Sequence, residues 1–115
     1  MGIEKFEDII AWQKAKEMSI LIYTTFKDSK DFGFKDQIQR AAVSVMNNIA
    51  EGFERKTNKE FRQFLYIAKG SCGEVRSMLY LVKELNTISE STFNKIYVRR
   101  NFKNPFRTHQ NFMNF

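Results

Sequence analysis

The sequence predicts an all-α protein, an antiparallel up-down four-helix bundle whose fourth helix is truncated or irregular. Turn-forming residues are scarce, since the 115 residues include 5 glycines and 1 proline, and this composition argues against a turn-rich β fold. Apolar residues recur at alternating steps of three and four along three segments, as they do on one face of an α-helix. Short polar links join these segments, so we expect consecutive helices to lie antiparallel. A chain of this length has room for one domain with one core.

The first two helices are predicted from single apolar lines. The first extends from about Phe6 to Lys27, and the second begins near Phe34 or Lys35, after the polar link "KDSKDFG". On the first helix the residues that share one face are Trp12, Ala15, Ser19, Ile22 and Phe26. On the second helix they are Ile38, Ala42, Val45 and Ile49. Each set steps by three or four residues, so this face of each helix is expected to pack in the core.

The third helix has the clearest pattern in the chain. Thr57 or Asn58 is placed to cap its first turn. Its predicted buried face alternates steps of four and three and consists of Phe61, Leu65, Ala68, Cys72, Val75, Leu79 and Val82. This heptad spacing is typical of neighbouring helices that cross at about 20°. The segment "NTISES" then predicts a turn, and Ser91 is expected to cap a fourth helix that begins with "TFNKIY".

The sequence after Tyr97 does not continue the helical pattern. We assign residues 1–97 to the bundle domain and residues 98–115 to an atypical tail, in which Pro105 is expected to end or kink a helix. One interpretation is a basic, aromatic arm that binds nucleic acid. The contacts of such an arm would be Phe102, Phe106 and Arg107. A second hypothesis is that the tail is a frame-shifted version of the remainder of the fourth helix. A reading frame one base forward permits apolar residues at helical spacing, followed by a stop codon.

The distribution of charge matters more than the formal net charge of +6. Of the 19 basic residues, 5 follow Glu90, so residues 1–90 hold 14 basic and 13 acidic residues, a net of +1. The predicted bundle is therefore almost neutral. A role in nucleic-acid binding must depend on how the cations are arranged on its surface, or on the tail.

Basic residues form one line along the third helix. Arg62, Lys69, Arg76 and Lys83 recur every seven residues, and Arg55, Lys56 and Lys59 lead into this line. Such a ladder suits the backbone of RNA or DNA, because each cation that neutralises a phosphate releases counterions without reading bases. Tyr66 and Tyr80 on the same helix offer surfaces for base stacking. The alternative is that these cations are only the solvated outer face of a bundle, which must be charged in any case.

A polar line follows the second helix beside its apolar one. Gln37, Arg40, Ser44, Asn47 and Glu51 step by three and four, and Ser71 and Glu74 lie three apart on the third helix. Three interpretations stay open: a solvated face, a hydrogen-bonded network between helices or subunits that fixes their register, or a catalytic site. The network interpretation predicts that Asn47 does not tolerate leucine.

Enzymatic and metal sites find little support in the sequence. His109 is the one histidine and lies in the tail, so no catalytic triad or two-histidine metal site is present. Cys72 lies in the apolar line of the third helix and is expected to pack in the core rather than to act as a nucleophile. With one cysteine and no transmembrane or signal segment, the expected compartment is the cytoplasm. We therefore predict no enzyme, no cofactor, no metal and no membrane association.

Three segments carry a resemblance to a known family. "FEDIIAWQKAKEMSILIY", "QIQRAAVSVMNNIAEGFER" and "KEFRQFLYIAKGSCGEV" are similar to the 23S ribosomal RNA intervening-sequence proteins, the four helix bundle protein family. The resemblance extends from about Phe6 to Ile88. Its most specific positions are Gln37, Arg40, Ala41, Ser44, Asn48, Ile49, Ala50, Glu51, Gly52, Ala68, Gly70, Ser71 and Glu74. The family's last helix usually continues where this sequence turns irregular.

The resemblance implies a small bacterial bundle encoded within insertions of large-subunit ribosomal RNA genes, or elsewhere in the genome. It also implies kinship with the accessory protein of diversity-generating retroelements, a pentameric ring that binds nucleic acid and works with a reverse transcriptase. For this chain the implied partners are copies of itself, structured RNA or DNA, and a reverse transcriptase. No enzymatic activity is established for the family, and a scaffold or protein-interaction module without nucleic-acid affinity is the competing expectation.

Overall fold

A computed structural model gives the structure of the protein and describes residues 2–99. A short 3-10 turn at Phe6–Asp8 precedes four helices: α1 at Ile10–Phe26, α2 at Phe32–Phe53, α3 at Asn58–Glu84 and α4 at Glu90–Arg99. Residues 2–99 contain no β-strand. Helix α1 packs on α2 and α4, and α3 packs on the same two helices. The prediction of an all-α bundle is confirmed. The predicted tail of residues 98–115 lies outside the described residues, apart from the last two positions of α4.

The first helix begins four residues later than predicted. Ile9 has an extended backbone (φ −77°, ψ 121°) and separates the 3-10 turn from α1. The Ile9 side chain is fully buried, and the ring of Phe6 meets that of Trp12 edge to face at 5.1 Å between centroids. The segment before α1 therefore folds back onto the helix and contributes to the core rather than lengthening the helix.

Capping side chains set the starts of the later helices. Asp31 Oδ1 accepts a hydrogen bond from the Phe34 amide at 3.2 Å, so α2 begins at Phe32, two or three residues before the predicted start at Phe34 or Lys35. Thr57 Oγ1 accepts from the Glu60 amide at 3.1 Å, as predicted for α3. The prediction of Ser91 as the cap of α4 is wrong. Ser89 Oγ accepts from the Thr92 amide at 3.0 Å, and this bond places the first residue of the helix at Glu90.

A single apolar core joins the four helices. Every member of the predicted apolar lines of α2 and α3 is buried. On α1, Ala15, Ser19, Ile22 and Phe26 are buried, and Trp12 is half-buried. Phe93 and Ile96 of α4 complete the core from the fourth side. None of the helices in residues 2–99 is long and apolar enough to cross a membrane.

Candidate nucleic-acid interface

The basic line of α3 divides into an open half and a packed half. Arg62 and Lys69 are exposed, whereas Arg76 and Lys83 are half-buried. The Lys83 ammonium lies 4.6 Å from the centroid of the Phe93 ring on α4. Helix α4 packs on the half of α3 that carries Tyr80 and Lys83, so the neighbouring helix partly covers the later part of the line. The sequence spacing alone places all four on one face.

The cations around the start of α3 differ in whether an acidic side chain neutralises their charge. Arg55 Nη2 pairs with Glu51 Oε2 at 2.9 Å, and its guanidinium lies 4.8 Å from the Phe64 ring centroid. Lys56 and Lys59 are exposed. Within residues 2–99, neither Lys59 nor Arg62 makes an ion pair. The start of α3 thus carries exposed cations that no acidic side chain of the described residues pairs with.

The two predicted stacking tyrosines have different surroundings. Tyr80 donates a hydrogen bond from its hydroxyl to the Tyr97 hydroxyl at 3.2 Å, and this bond raises the pKa of Tyr80. Its ring also lies 5.4 Å from that of Phe93. Tyr80 therefore helps to join α4 to α3. Tyr66, two turns into the helix, is 55% exposed.

A hydrogen-bonded seam links α2 to α3. Gln37 Nε2 donates to Glu74 Oε2 at 3.1 Å, and the hydroxyls of Ser44 and Ser71 lie 2.9 Å apart. Asn48 Nδ2 donates to the Ser44 carbonyl at 2.8 Å and to its hydroxyl at 2.9 Å. Four of the polar residues singled out by the sequence therefore meet across one helix pair, and Asn48 supports them from within α2. Such bonds fix the register of the two helices, because a shift along the axis would leave half-buried polar groups unpaired.

The other polar residues of α2 point away from that seam. Arg40 pairs with Asp36 at 2.8 Å, one turn earlier on the same helix, and both side chains are largely exposed. Asn47 is exposed, and its side chain makes no hydrogen bond to the described part of the chain. Glu51 forms an ion pair with Arg55. The single polar line read from the sequence is thus two lines, an inner one at the seam and an outer one on the surface.

Gly52 permits a close approach of α2 to α3. A methyl group at this position would lie 2.6 Å from Phe64 Cβ and 2.9 Å from Phe61 Cδ1. Gly52 is buried, and the rings of Phe53 and Phe61 meet edge to face at 5.9 Å between centroids. The sequence shows the glycine but not this packing role, because the contact joins residues that are distant along the chain.

Comparison with known protein families identifies the family of this chain. The family model for the 23S rRNA-intervening sequence protein matches residues 7–101. The chain belongs to this family. The solved structure of a protein of unknown function from the S23 ribosomal protein family of Bacteroides thetaiotaomicron is similar to it, with a TM-score of 0.79 and 20% sequence identity over 92% of this chain and 100% of that one. This likeness supports the shared fold alone. Among functionally curated proteins, none matches the sequence.

Three exposed apolar residues on α3 form an outer apolar line, which a search for buried residues does not detect. Ile67, Leu81 and Leu85 are each more than half exposed. Ile67 and Leu81 lie seven residues on either side of Glu74 and share its face of the helix. In the sequence, this line is marked by the seven-residue steps from Ile67 to Glu74 and from Glu74 to Leu81, which are offset from the steps that join the buried residues.

Cys72 packs in the core, as its position in the apolar line suggests. The thiol is buried, and desolvation raises its pKa from 9.0 to about 12, against a smaller opposing effect of the charge of Arg76. A thiol with so high a pKa forms little of the nucleophilic thiolate at neutral pH. Among residues 2–99, no group of three or more histidine, cysteine, aspartate or glutamate side chains is placed to hold a metal ion.

Proposed function

We propose that this protein is a non-enzymatic helical bundle that binds the phosphate backbone of RNA or DNA through the start of α3. The observation that carries the proposal is the group of exposed cations there, among which Lys59 and Arg62 make no ion pair within the described residues. Lys69 continues the exposed line one heptad further. Arg55, although paired with Glu51, lies at the entry to the same surface.

The geometry suits a backbone that runs along the helix axis. Arg62 and Lys83 are separated by 21 residues, which corresponds to about 31 Å at 1.5 Å per residue. Arg76 and Lys83, which are half-buried, are expected to contribute less than the exposed residues. Phosphate contacts of this kind give affinity without base specificity. The expected binding is therefore nonspecific and strongly dependent on salt.

A pair of charge reversals tests the proposal. Arg62→Glu with Lys69→Glu should weaken the binding of a labelled structured RNA, measured by fluorescence anisotropy at low salt. The matched control is Lys5→Glu with Lys30→Glu, two exposed lysines remote in sequence from α3 that give the same change in net charge. Equal loss in both double variants would show that only net charge matters, and no binding by the unaltered protein would overturn the proposal.

We also propose that the protein self-associates, as the ring implied by its family resemblance. The supporting observation is the outer apolar line of Ile67, Leu81 and Leu85. A ring repeats a weak cationic surface several times on one particle, and this raises its affinity for a long nucleic acid without new contacts. Leu81→Glu should reduce the mass measured by analytical ultracentrifugation. Ile20→Glu, which alters a similarly exposed residue on α1, is the control.

The competing function is a scaffold that binds other proteins and no nucleic acid. The same apolar line favours it, since exposed apolar side chains suit protein partners as well as copies of this chain. A reverse transcriptase is the partner suggested by family resemblance. A gel-shift assay with structured RNA across a range of salt concentrations separates the two functions, because a pure scaffold shows no shift at any salt.

A further inference from the structure

Over residues 2–99, helix α4 is the shortest of the four helices and contributes least to the core. Its described part has 10 residues, whereas each of the other helices has at least 17. Its buried apolar residues are Phe93 and Ile96, whereas α3 buries seven residues. A helix of this length is marginal in water on its own. The helical state of α4 therefore depends on its docking against α1 and α3.

The link between α3 and α4 closes α3 with hydrogen bonds that do not involve α4. The Thr87 amide donates to the Val82 carbonyl at 2.9 Å. The amide of Asn86, whose φ is 59°, donates to the Lys83 carbonyl at 3.1 Å. These bonds form the Schellman motif that ends a helix, and Ser89 caps α4 within its own segment. Helix α4 can therefore leave its position while the end of α3 stays intact.

Side chains hold α4 against the second half of α3. The rings of Tyr80, Phe93 and Tyr97 form one cluster, with distances of 5.3 to 5.8 Å between centroids. The Tyr80 hydroxyl donates to that of Tyr97 at 3.2 Å, and the Lys83 ammonium lies 4.6 Å from the Phe93 centroid. The aromatic residue and the cation that α3 carries near its end are thus both engaged by α4.

We infer that α4 is a displaceable cover, which keeps the last cation of the basic line from nucleic acid. The inference rests on the proposed function, which uses the exposed cations at the start of α3. When α4 leaves, Lys83 is released from the Phe93 ring and Tyr80 from its bond to Tyr97. Lys83 lies 21 residues after Arg62 in the same line, so its release lengthens the surface that can contact phosphates.

The docked position of α4 is the ground state of the unaltered protein. Undocking brings Phe93 and Ile96, which are almost fully buried, into water. Burial of two large apolar side chains stabilises more than one exposed contact between a cation and a phosphate. Nucleic acid alone therefore does not displace α4, and we expect Lys83 to contribute little to binding until the docking is weakened.

Hydrogen exchange of the full chain tests whether α4 opens on its own. The amides of α4 should exchange faster than those in the middle of α2 and α3, through an opening that leaves these helices protected. Asn94→Ala, at an exposed position of α4, should slow the exchange of α4 roughly threefold, because alanine is the better helix former. Asn47→Ala, the same change on the exposed face of α2, is the control. Exchange of α4 only when the whole protein unfolds would overturn the inference.

The salt dependence of RNA binding tests what the opening uncovers. Phe93→Ala should steepen the slope of log affinity for a structured RNA against log salt concentration by about one, because Lys83 becomes available to a phosphate. Ile38→Ala, at a fully buried residue of α2, destabilises the fold elsewhere and should leave the slope unchanged. Circular dichroism at the assay temperature establishes that both variants are folded.

A change at Lys83 itself keeps the test valid if Phe93→Ala does not fold. In the unaltered protein, Lys83→Gln should flatten the slope much less than Arg62→Gln does. In the Phe93→Ala background, Lys83→Gln should remove the added slope. Equal flattening by Lys83→Gln and Arg62→Gln in the unaltered protein would show that α4 does not cover Lys83, and the inference would fail.

The outcomes separate this inference from the proposed function. If Arg62→Glu with Lys69→Glu weakens binding but Phe93→Ala, correctly folded, leaves the slope unchanged, the cover is wrong and the backbone interface stands. If the unaltered protein binds no RNA at any salt concentration, both fail.

Discussion

Gly52 of α2 lies so close to Phe64 of α3 that a methyl group in place of its hydrogen would be 2.6 Å from the Phe64 Cβ. Contacts this short do not occur between real carbon atoms, so a larger residue must push the helices apart. The same pair of helices carries the hydrogen-bonded seam and the proposed basic surface. The position of α3 relative to α2 thus depends on the absence of one side chain.

Gly52→Ala should destabilise the protein. Alanine favours a helix over glycine by about 1 kcal/mol, but overpacking at a close helix contact typically costs about 1–3 kcal/mol, and we expect the net change to be unfavourable. Urea unfolding, monitored by circular dichroism, measures this change in the free energy of unfolding. Gly70→Ala is the control, because the space around Gly70 is open and only the gain in helix propensity applies. Equal stabilisation by both variants would contradict the close packing at Gly52.

The Ser44–Ser71 hydrogen bond should contribute a coupling energy across the seam. The two hydroxyls are part-buried and 2.9 Å apart, and a typical intramolecular hydrogen bond contributes about 0.5–1.5 kcal/mol net. A double-mutant cycle with Ser44→Ala and Ser71→Ala should give a coupling in that range. Ser77→Ala, on the exposed face of α3, should be additive with Ser44→Ala. Additivity in both cycles would show that the seam hydroxyls are not coupled.

The Cys72 thiol should make stability fall at alkaline pH. Burial raises its pKa in the folded protein to about 12, from 9.0 in the exposed state. The folded state therefore holds this proton more tightly than the unfolded state, so the thiol's contribution is complete below pH 9 and is lost as the pH rises from 9 toward 12. Lysines and tyrosines titrate in the same range, so the measurement is the difference between the unaltered protein and Cys72→Ala. A difference in unfolding free energy that stays constant from pH 8 to about pH 11 would contradict the burial of the thiol.

Asn47→Leu should separate the folding of one chain from its self-association. Asn47 is exposed and makes no side-chain hydrogen bond within residues 2–99. Leucine is the better helix former by about 0.5 kcal/mol, so the variant should melt at the same temperature or slightly higher under conditions where the protein is monomeric. A loss of oligomer mass in analytical ultracentrifugation would place Asn47 in an interface between subunits. Unchanged mass and unchanged melting of the oligomer would remove it from that interface.

Local patterns predicted the helices well because their causes are local. The alternation from Phe61 to Val82 identified the buried face of α3 residue by residue, and Thr57 identified its start. Ile9 interrupts the first helix without a glycine or proline to mark the break, so its extended backbone was not predicted. The two serines at the start of α4 offer nearly equal capping sites, and the sequence favoured Ser91 over the actual cap, Ser89.

Relationships between helices were harder to predict than the helices themselves. The polar residues of α2 read as one line, but only the register of α2 against α3 decides that Ser44 meets Ser71 while Asn47 faces outward. The basic line of α3 read as one surface, but α4 packs beside its second half and places the Phe93 ring against Lys83. Both outcomes depend on packing between residues far apart in sequence, which spacing along one helix does not contain.

The most direct test of the backbone interface is the slope of log affinity for a structured RNA against log salt concentration. We predict a steep negative slope for the unaltered protein. Arg62→Glu with Lys69→Glu should flatten the slope by about two, one for each phosphate that the variant no longer neutralises, while Lys5→Glu with Lys30→Glu should leave it nearly unchanged. A slope near zero in the unaltered protein, or the same slope in both double variants, would contradict the interface.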